Sequence, residues 1–437
     1  MQQNNFLLKH YRLTFYFLFV VGLILSFMYA NNQILSGDQT QMLFKGYMGA
    51  HNGTWIHYGN AASAVGNVPG SLSSYIVGIP LVLIDSPWSP MIFLIFLRII
   101  GFFLIDHVIK NIFSQEIRLT FLVLYWLNPW FLFENILYNP TYLFFFAALH
   151  FWSAYKMHSS KNFWYSFWHV LSIGMALQLH YSWILLVFIS LYLFYKRSLQ
   201  INWYGIFTAG AVVIASLIPY FYELLNNQAI SASQHKDDKG RYIGWGAVHV
   251  YPIFKALIYW VRYASFIFTN KLVLGASFEW VTSIESLQTI IKYTYRTIVF
   301  SLGALTILIT LKANWYVWQQ VKKTLFTRND QNVNDKQWLL IYMVGAFFAI
   351  IISAALSPIV FNYWHLIMIF PFTLIPLLFF FDAQQKRLNK YFSNFIYAIV
   401  GYLLVINLLG MHDSEKFSYK ANYTEQVTNF IGTSLQD

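Results

Sequence analysis

The sequence predicts an all-α polytopic membrane protein, and three observations carry that reading. Hydrophobic residues make up 58% of the 437 and charged residues only 10%, where a soluble domain carries roughly a quarter charged. Apolar runs approaching membrane length recur along the whole chain. Most of the basic residues lie between those runs rather than inside them. A net charge of +11 on a soluble chain would suggest a nucleic-acid partner, but Lys and Arg gathered at the ends of apolar runs are what membrane orientation requires, so none is expected. Cysteine is absent, which excludes disulfides and thiolate metal sites.

The first span is expected at Leu13–Ala30, a run too long for a cleaved leader and followed by few small residues. Further spans are expected at Pro90–Val108, Leu119–Leu137, Thr141–Ala154, Phe163–Leu177, Tyr181–Phe194, Trp203–Tyr222, Thr294–Leu311, Trp338–Leu356, Ile359–Phe381 and Phe395–Leu409. With the first, that makes about eleven, several of them shorter than the roughly 20 residues a straight crossing needs. Ser71–Ile84 is interrupted by Gly78 and Pro80 and is shorter still, so it is read as an interfacial or re-entrant segment. Charge supports leaving it uncounted. Lys9 and Arg12, Lys110 and Arg118, Lys156 and Lys161, Lys196 and Arg197, and the clusters at Lys312–Lys336 and Lys386–Lys390 then all fall on one side, as the positive-inside rule asks.

The chain is expected to form one membrane-embedded domain over 1–437, with outer loops at 31–89 and 224–293 and an outer tail at 411–437. The second loop opens with the polar stretch NNQAISASQHKDDKGRYIGWG and continues as YPIFKALIYWVRYASFIFTNKLVLG. Basic residues amid aromatics in that second part suggest an amphipathic helix lying at the interface.

The candidate chemistry gathers in the first loop, where Gly, Asn, His and an acid are concentrated. Asp38 stands just past the first span. A carboxylate there can act as a general base, and it can equally be the N-cap of an amphipathic helix opening at QTQMLFKGYM. Around it Lys45, His51, Trp55, His57, Tyr58 and Asn67 can bind hydroxyls or phosphate or be plain loop residues. Arg98 lies inside a span, where a charge is costly and marks either a site or an ion pair. Arg262 offers a bidentate fork to phosphate oxygens or anchors its helix at the interface. No metal-ligand spacing and no nucleotide-binding glycine loop is present, so no metal and no cofactor is expected.

An Asp beyond the first span, an amphipathic run, Gly53-x-Trp55-x-x-x-Gly59 and Pro69-Gly70-x-Leu72-x-x-Tyr75 resemble the first extracytoplasmic loop of the GT-C glycosyltransferases. The resemblance is to the branch that holds the aminoarabinose transferases of lipid A and the protein O-mannosyltransferases. It implies a GT-C fold with amphipathic helices in that loop and an inverting transfer of a sugar from a polyprenyl phosphate donor to a lipid, glycan or protein acceptor. It also implies a bacterial inner membrane, with the site facing the periplasm or the outside. Asp38 would be the catalytic carboxylate, although Gln39 stands where the family often has a second acid. Asn67-Val68-Pro69-Gly70 replaces that branch's Glu-Lys-Pro-Pro, and Thr141 replaces an acid that often follows the Pro. Arg98 matches an Arg common early in the second span, and Tyr363 and His365 match a basic residue and Tyr before a Pro-containing helix. The alternatives are an envelope polysaccharide ligase or polymerase, which would concentrate its function in the later outer loop, and a lipid-linked glycan flippase, which would show an internal repeat.

Overall fold

The computed structural model describes residues 10–32, 35, 37–62, 66–227, 248–265, 271–328, 333–359, 362–388, 390–412 and 422–434. Most of the polar stretch that opens the second outer loop, with Lys9, Val360 and Phe361, lies outside the described residues.

Helix follows helix through nearly all of this. Helix α1 (Tyr11–Asn31) buries Phe15, Leu18, Gly22, Leu25, Ser26 and Tyr29 along one stripe, the three-to-four residue spacing of a helix with one packed side. The first loop then holds α2 (Gly37–Asn52), a hairpin of β1 (Tyr58–Ala61) and β2 (Asn67–Pro69), and α3 (Leu72–Leu83). The antiparallel hairpin, with Tyr58 opposite Pro69, is an element the sequence reading did not anticipate. At 12 residues, α3 is about 18 Å long against a hydrocarbon core of about 30 Å. It lies along α2, and glycine makes that approach possible. A Cβ on Gly46 would meet Val77 Cγ1 at 2.4 Å, and one on Gly78 would meet the Gly46 carbonyl at 2.9 Å.

Next come α4 (Ser89–Ile112), α5 (Gln115–Trp126), α6 (Pro129–Phe133), α7 (Asn139–Ser159), α8 (Phe163–Leu177), α9 (Ile184–Tyr195) and α10 (Trp203–Asn226). The expected span Leu119–Leu137 is not continuous: Pro129 cannot donate to the ladder, and Asn128 starts a new helix by accepting from the Trp130 N–H at 2.9 Å. Residues 127–141 are buried although irregular. Non-helical backbone is tolerated at such depth only where protein groups satisfy it. Here Asn128 Nδ2 donates to the Leu124 carbonyl, Asn135 Nδ2 to Leu132, and Thr141 Oγ1 to Ile136 and Tyr138.

The last third comprises α11 (Val250–Ala264), α12 (Glu285–Val321), α13 (Asp335–Leu356), α14 (Phe370–Thr373), α15 (Ile375–Leu388), α16 (Lys390–His412) and α17 (Tyr423–Ser434). Helix α12, at 37 residues, takes in the end of the expected second loop. Helix α11, expected to be amphipathic, packs against α13 and α12. The His249 N–H donates to the Ala355 carbonyl at the end of α13, and Trp260, two turns and more along, stacks edge-on to Phe347 and donates to Asn314 Oδ1 of α12 at 2.9 Å. The helix therefore runs down along α13, wedged beside α12. Among the described residues, seven helical stretches are long and apolar enough to cross a membrane: Tyr11–Asn31, Ser89–Ile112, Trp203–Asn226, Glu285–Val321, Asp335–Leu356, Ile367–Gln385 and Tyr391–His412. The chain is thus an all-helical integral membrane protein carrying one small hairpin.

Candidate active site

The candidate residues gather in two groups. The first is built by α2 and the hairpin. Helix α2 begins at Gly37, so Asp38 is its second residue and stands in the first turn rather than ahead of the helix. Asp38 is exposed, and its carboxylate is at the helix end where backbone N–H groups favour negative charge. The hairpin clasps this turn: Asn60 Nδ2 donates to the Asp38 carbonyl at 2.8 Å and the Ala61 N–H to Gln41 Oε1 at 2.9 Å.

One turn beyond Gln41, Lys45 faces the same strand. Lys45 is 5% exposed, and its ammonium donates to the Gly59 carbonyl at 2.5 Å and lies 5.0 Å from the centre of the Tyr58 ring. Desolvation pulls its pKa down to about 7, because burial disfavours the charged form. Burial raises the Tyr58 phenol, and the Glu223 carboxylate of α10 pushes the same way. His57 Nδ1 lies 3.1 Å from Ser71 Oγ, and the Asn67 carbonyl accepts from Tyr181 Oη at 3.3 Å. Lys45, His57, Tyr58 and Asn67 thus belong to one folded unit, with His51 and Trp55 at its edge: His51 stacks on Tyr47 and Trp55 packs on Tyr75. Glu223, near the end of α10, and Tyr181, in the turn between α8 and α9, complete it. Sequence reasoning missed both, because the pairing joins residues far apart in the chain.

The second group surrounds the break between α6 and α7. Arg98 is fully buried in α4, and its guanidinium donates to the carbonyls of Phe131 and Glu134 with the Phe131 ring 3.8 Å away. It closes the carbonyl end of α6, a local task that occupies both terminal nitrogens. Tyr138 Oη donates to Glu134 Oε2 at 2.6 Å. Tyr363 faces Tyr138, Glu134, Tyr259 and Arg262, and its carbonyl accepts from Tyr263 Oη at 2.5 Å. Arg262, on α11, stacks 4.7 Å over the Trp130 ring. Buried polar atoms here without a hydrogen-bond partner include Arg98 Nε, Arg262 Nε, Trp130 Nε1, Glu134 Oε1 and Asn135 Oδ1. Such atoms are costly unless a ligand or water meets them. Glu134 and Tyr138 were detectable in the sequence as an acid and a phenol four residues apart at membrane depth; Trp130 carried no signal.

His365 borders this group but is held by its own turn. Its Nδ1 accepts from the Asn362 N–H at 2.8 Å, its carbonyl accepts from Ser182 Oγ at 2.6 Å, and its ring centre is 5.5 Å from that of His180. Beside Arg262 runs an apolar cleft of about 490 Å³ between α11, α12 and α13, lined by Leu257, Trp260, Val261, Trp315, Phe347 and Phe348 among others. Among the described residues no group of three or more His, Asp or Glu side chains is placed to hold a metal ion.

Set against models of protein families, curated proteins and solved structures, the chain matches none.

Proposed function

We propose that this membrane protein is an inverting glycosyltransferase of GT-C type, with about eleven spans, that takes a sugar from a polyprenyl phosphate and transfers it to a lipid, glycan or protein hydroxyl at the outer leaflet. The observation that carries the reading is the junction of apolar cleft and guanidinium. Val261 lines the cleft, and Arg262, the next residue, holds an unpartnered Nε over Trp130. A long apolar chain ending in a phosphate has the chemistry to fill both.

In this mechanism the polyprenyl chain lies in the cleft and its phosphate accepts from Arg262, with the indole N–H of Trp130 and the Tyr363 phenol beside it. Arg98, occupied by the α6 carbonyls, holds the break in shape and leaves the phosphate to Arg262. The acceptor enters from the hairpin, where Lys45, His57, Tyr58 and Asn67 orient it. Asp38 takes the proton of the acceptor hydroxyl as that oxygen attacks the anomeric carbon. The carbon–oxygen bond to the phosphate breaks, and the charge left on the phosphate is offset by the guanidinium.

The test is binding of a polyprenyl phosphate, without sugar, to purified protein in detergent, read by displacement of a fluorescent lipid phosphate. Arg262→Ala should weaken binding by roughly 10-fold or more and Arg262→Lys should restore part of it, since lysine keeps the charge but loses the fork. Equal binding by all three proteins would remove Arg262 from the site. Mass analysis of envelope lipids and glycans from cells lacking the protein separates the related activities. Loss of one monosaccharide supports the transferase, whereas loss of whole chains would indicate a ligase and accumulation of lipid-linked glycan inside a flippase.

A further inference from the structure

At the opposite end of the bundle, where α1 begins and α4 ends, a cavity of about 290 Å³ is lined by Tyr11, Arg12, Phe15, Tyr16, Lys110, Gln115 and Arg118. Its charge is cationic. Arg12 and Lys110 are exposed at its rim. Arg118 is fixed by Asp106, through Nε to Oδ1 at 2.7 Å and Nη2 to Oδ2 at 2.5 Å, which leaves Nη1 outside that pair. The Phe15 ring lies 4.4 Å from its guanidinium carbon, so the fork is held on both sides. With Asp106 balancing one of three cations, the cavity keeps an excess of two.

Two further observations point to a ligand. Tyr11 is 7% exposed, and its hydroxyl stands against the Arg118 guanidinium at the cavity wall. Directly along α1 from the cavity runs an unbroken apolar stripe, Leu13, Phe17, Val20 and Ile24, each at least half exposed. A buried phenol and a guanidinium at the foot of a lipid-facing stripe match a molecule with a phosphate at one end and hydrocarbon at the other.

We propose that this cavity binds the headgroup phosphate of an anionic phospholipid, with Arg12, Lys110 and Arg118 as its cations, Tyr11 as a hydroxyl donor and the α1 stripe as the bed for an acyl chain. The site lies on the face opposite the first-loop hairpin and rests only on the chain's place in a membrane, so it stands or falls apart from the transferase reading. It makes the packing of α1 on α4 and α5 responsive to lipid composition.

The experiment compares the full-length protein in nanodiscs of phosphatidylcholine with and without phosphatidylglycerol, reading thermal unfolding and the lipid retained in native mass spectra. Wild type should retain phosphatidylglycerol and unfold at a higher temperature in its presence. Arg12→Gln with Lys110→Gln should lose that shift, with retention falling about fivefold for each charge removed. Lys322→Gln with Lys323→Gln, which removes two exposed cations elsewhere, should leave both readouts unchanged. Equal loss in the two double variants would assign the effect to diffuse surface charge and overturn the site. A shift reproduced by inorganic phosphate in pure phosphatidylcholine would make it a free-anion site and overturn the lipid assignment.

Discussion

Asp38 and Lys45 share one helix and are held by one strand, yet they make opposite demands on charge. Asp38 is exposed at the start of α2, where the helix end favours its ionised form. Asp38→Asn keeps the shape, should cost a few tenths to about 1 kcal/mol through the lost helix-end interaction, and cannot accept a proton. Expression and donor binding are therefore expected to be normal while transfer falls roughly 100-fold or more; purified Asp38→Asn transferring within a few-fold of wild type would remove the base. Lys45 is desolvated, with its pKa pulled from 10.5 to about 7, so between those values the unfolded chain binds more protons than the folded one. Stability then rises with pH across that window, by at most about 1.4 kcal/mol per unit, and is flat below it. Wild type should gain thermal stability relative to Lys45→Met between pH 7 and pH 9, and parallel unfolding curves for the two proteins would show that Lys45 ionises freely. Sequence alone placed both residues on an amphipathic helix; that Lys45 lies buried under Gly59 depends on a hairpin whose strands are four and three residues long, too short for periodicity to reveal.

The elements that carry the candidate sites are those where regular secondary structure gives way. Helices α2 and α3 cross at Gly46 and Gly78, and the space there admits no side chain: Gly46→Ala would drive its methyl to 2.4 Å from Val77 Cγ1 and 3.0 Å from the Gly78 nitrogen. Because backbone as well as a side chain must move, a cost of about 1–3 kcal/mol is expected. Limited proteolysis between Asn52 and Gly70 should accelerate in Gly46→Ala, while Gly210→Ala, whose Cβ meets nothing within 4 Å, should be cleaved at the wild-type rate. Equal protection in both variants would mean that the crossing tolerates the methyl. The helix-breaking Pro129 and the capping Asn128 are visible in the sequence, but hydropathy averages over them and returns one apolar run. Arg98 shows the same limit. Its charge at membrane depth marks it as special, and only the fold shows that its two terminal nitrogens hold the Phe131 and Glu134 carbonyls while Nε is left without a partner. Helix α11 was legible as amphipathic, whereas its descent along α13 depends on Trp260 reaching Asn314, a partner 54 residues away.

Across the whole molecule, contacts between distant segments sort the connections into two ends. At one end Asn32 donates to the Met411 carbonyl, Trp88 to Thr424 and Tyr181 to the Asn67 carbonyl. At the other, Ser114 meets Gln385, Tyr155 meets Asp335, and Lys196 donates to the Thr324 carbonyl. The first loop and the C-terminal helix therefore share an end, so the chain passes between the ends an odd number of times; seven long apolar helices and eleven spans both satisfy that parity. The difference lies in residues 115–195, where α5 to α9 are short or rich in Trp and Tyr and fall below a simple hydropathy threshold although their aromatic side chains suit the membrane boundary. If α5–α6, α7, α8 and α9 each cross, Tyr181 faces the same side as His51, and Lys161 faces the side of Lys110. If none crosses, Tyr181, Lys161 and Lys110 all share one side, an arrangement opposed by the hydrogen bond from Tyr181 to the first loop's Asn67. The chain has no cysteine, so single replacements at His51, Lys110, Lys161 and Tyr181, all exposed positions, report without background. In intact cells an impermeant maleimide should label the cysteines at positions 51 and 181 and reach those at 110 and 161 only after permeabilisation. Labelling at 51 without labelling at 181 before permeabilisation would reduce the crossings to seven and leave α5 to α9 as a domain on one side, which would take the Arg262–Trp130 junction out of the outer leaflet and the donor reading with it.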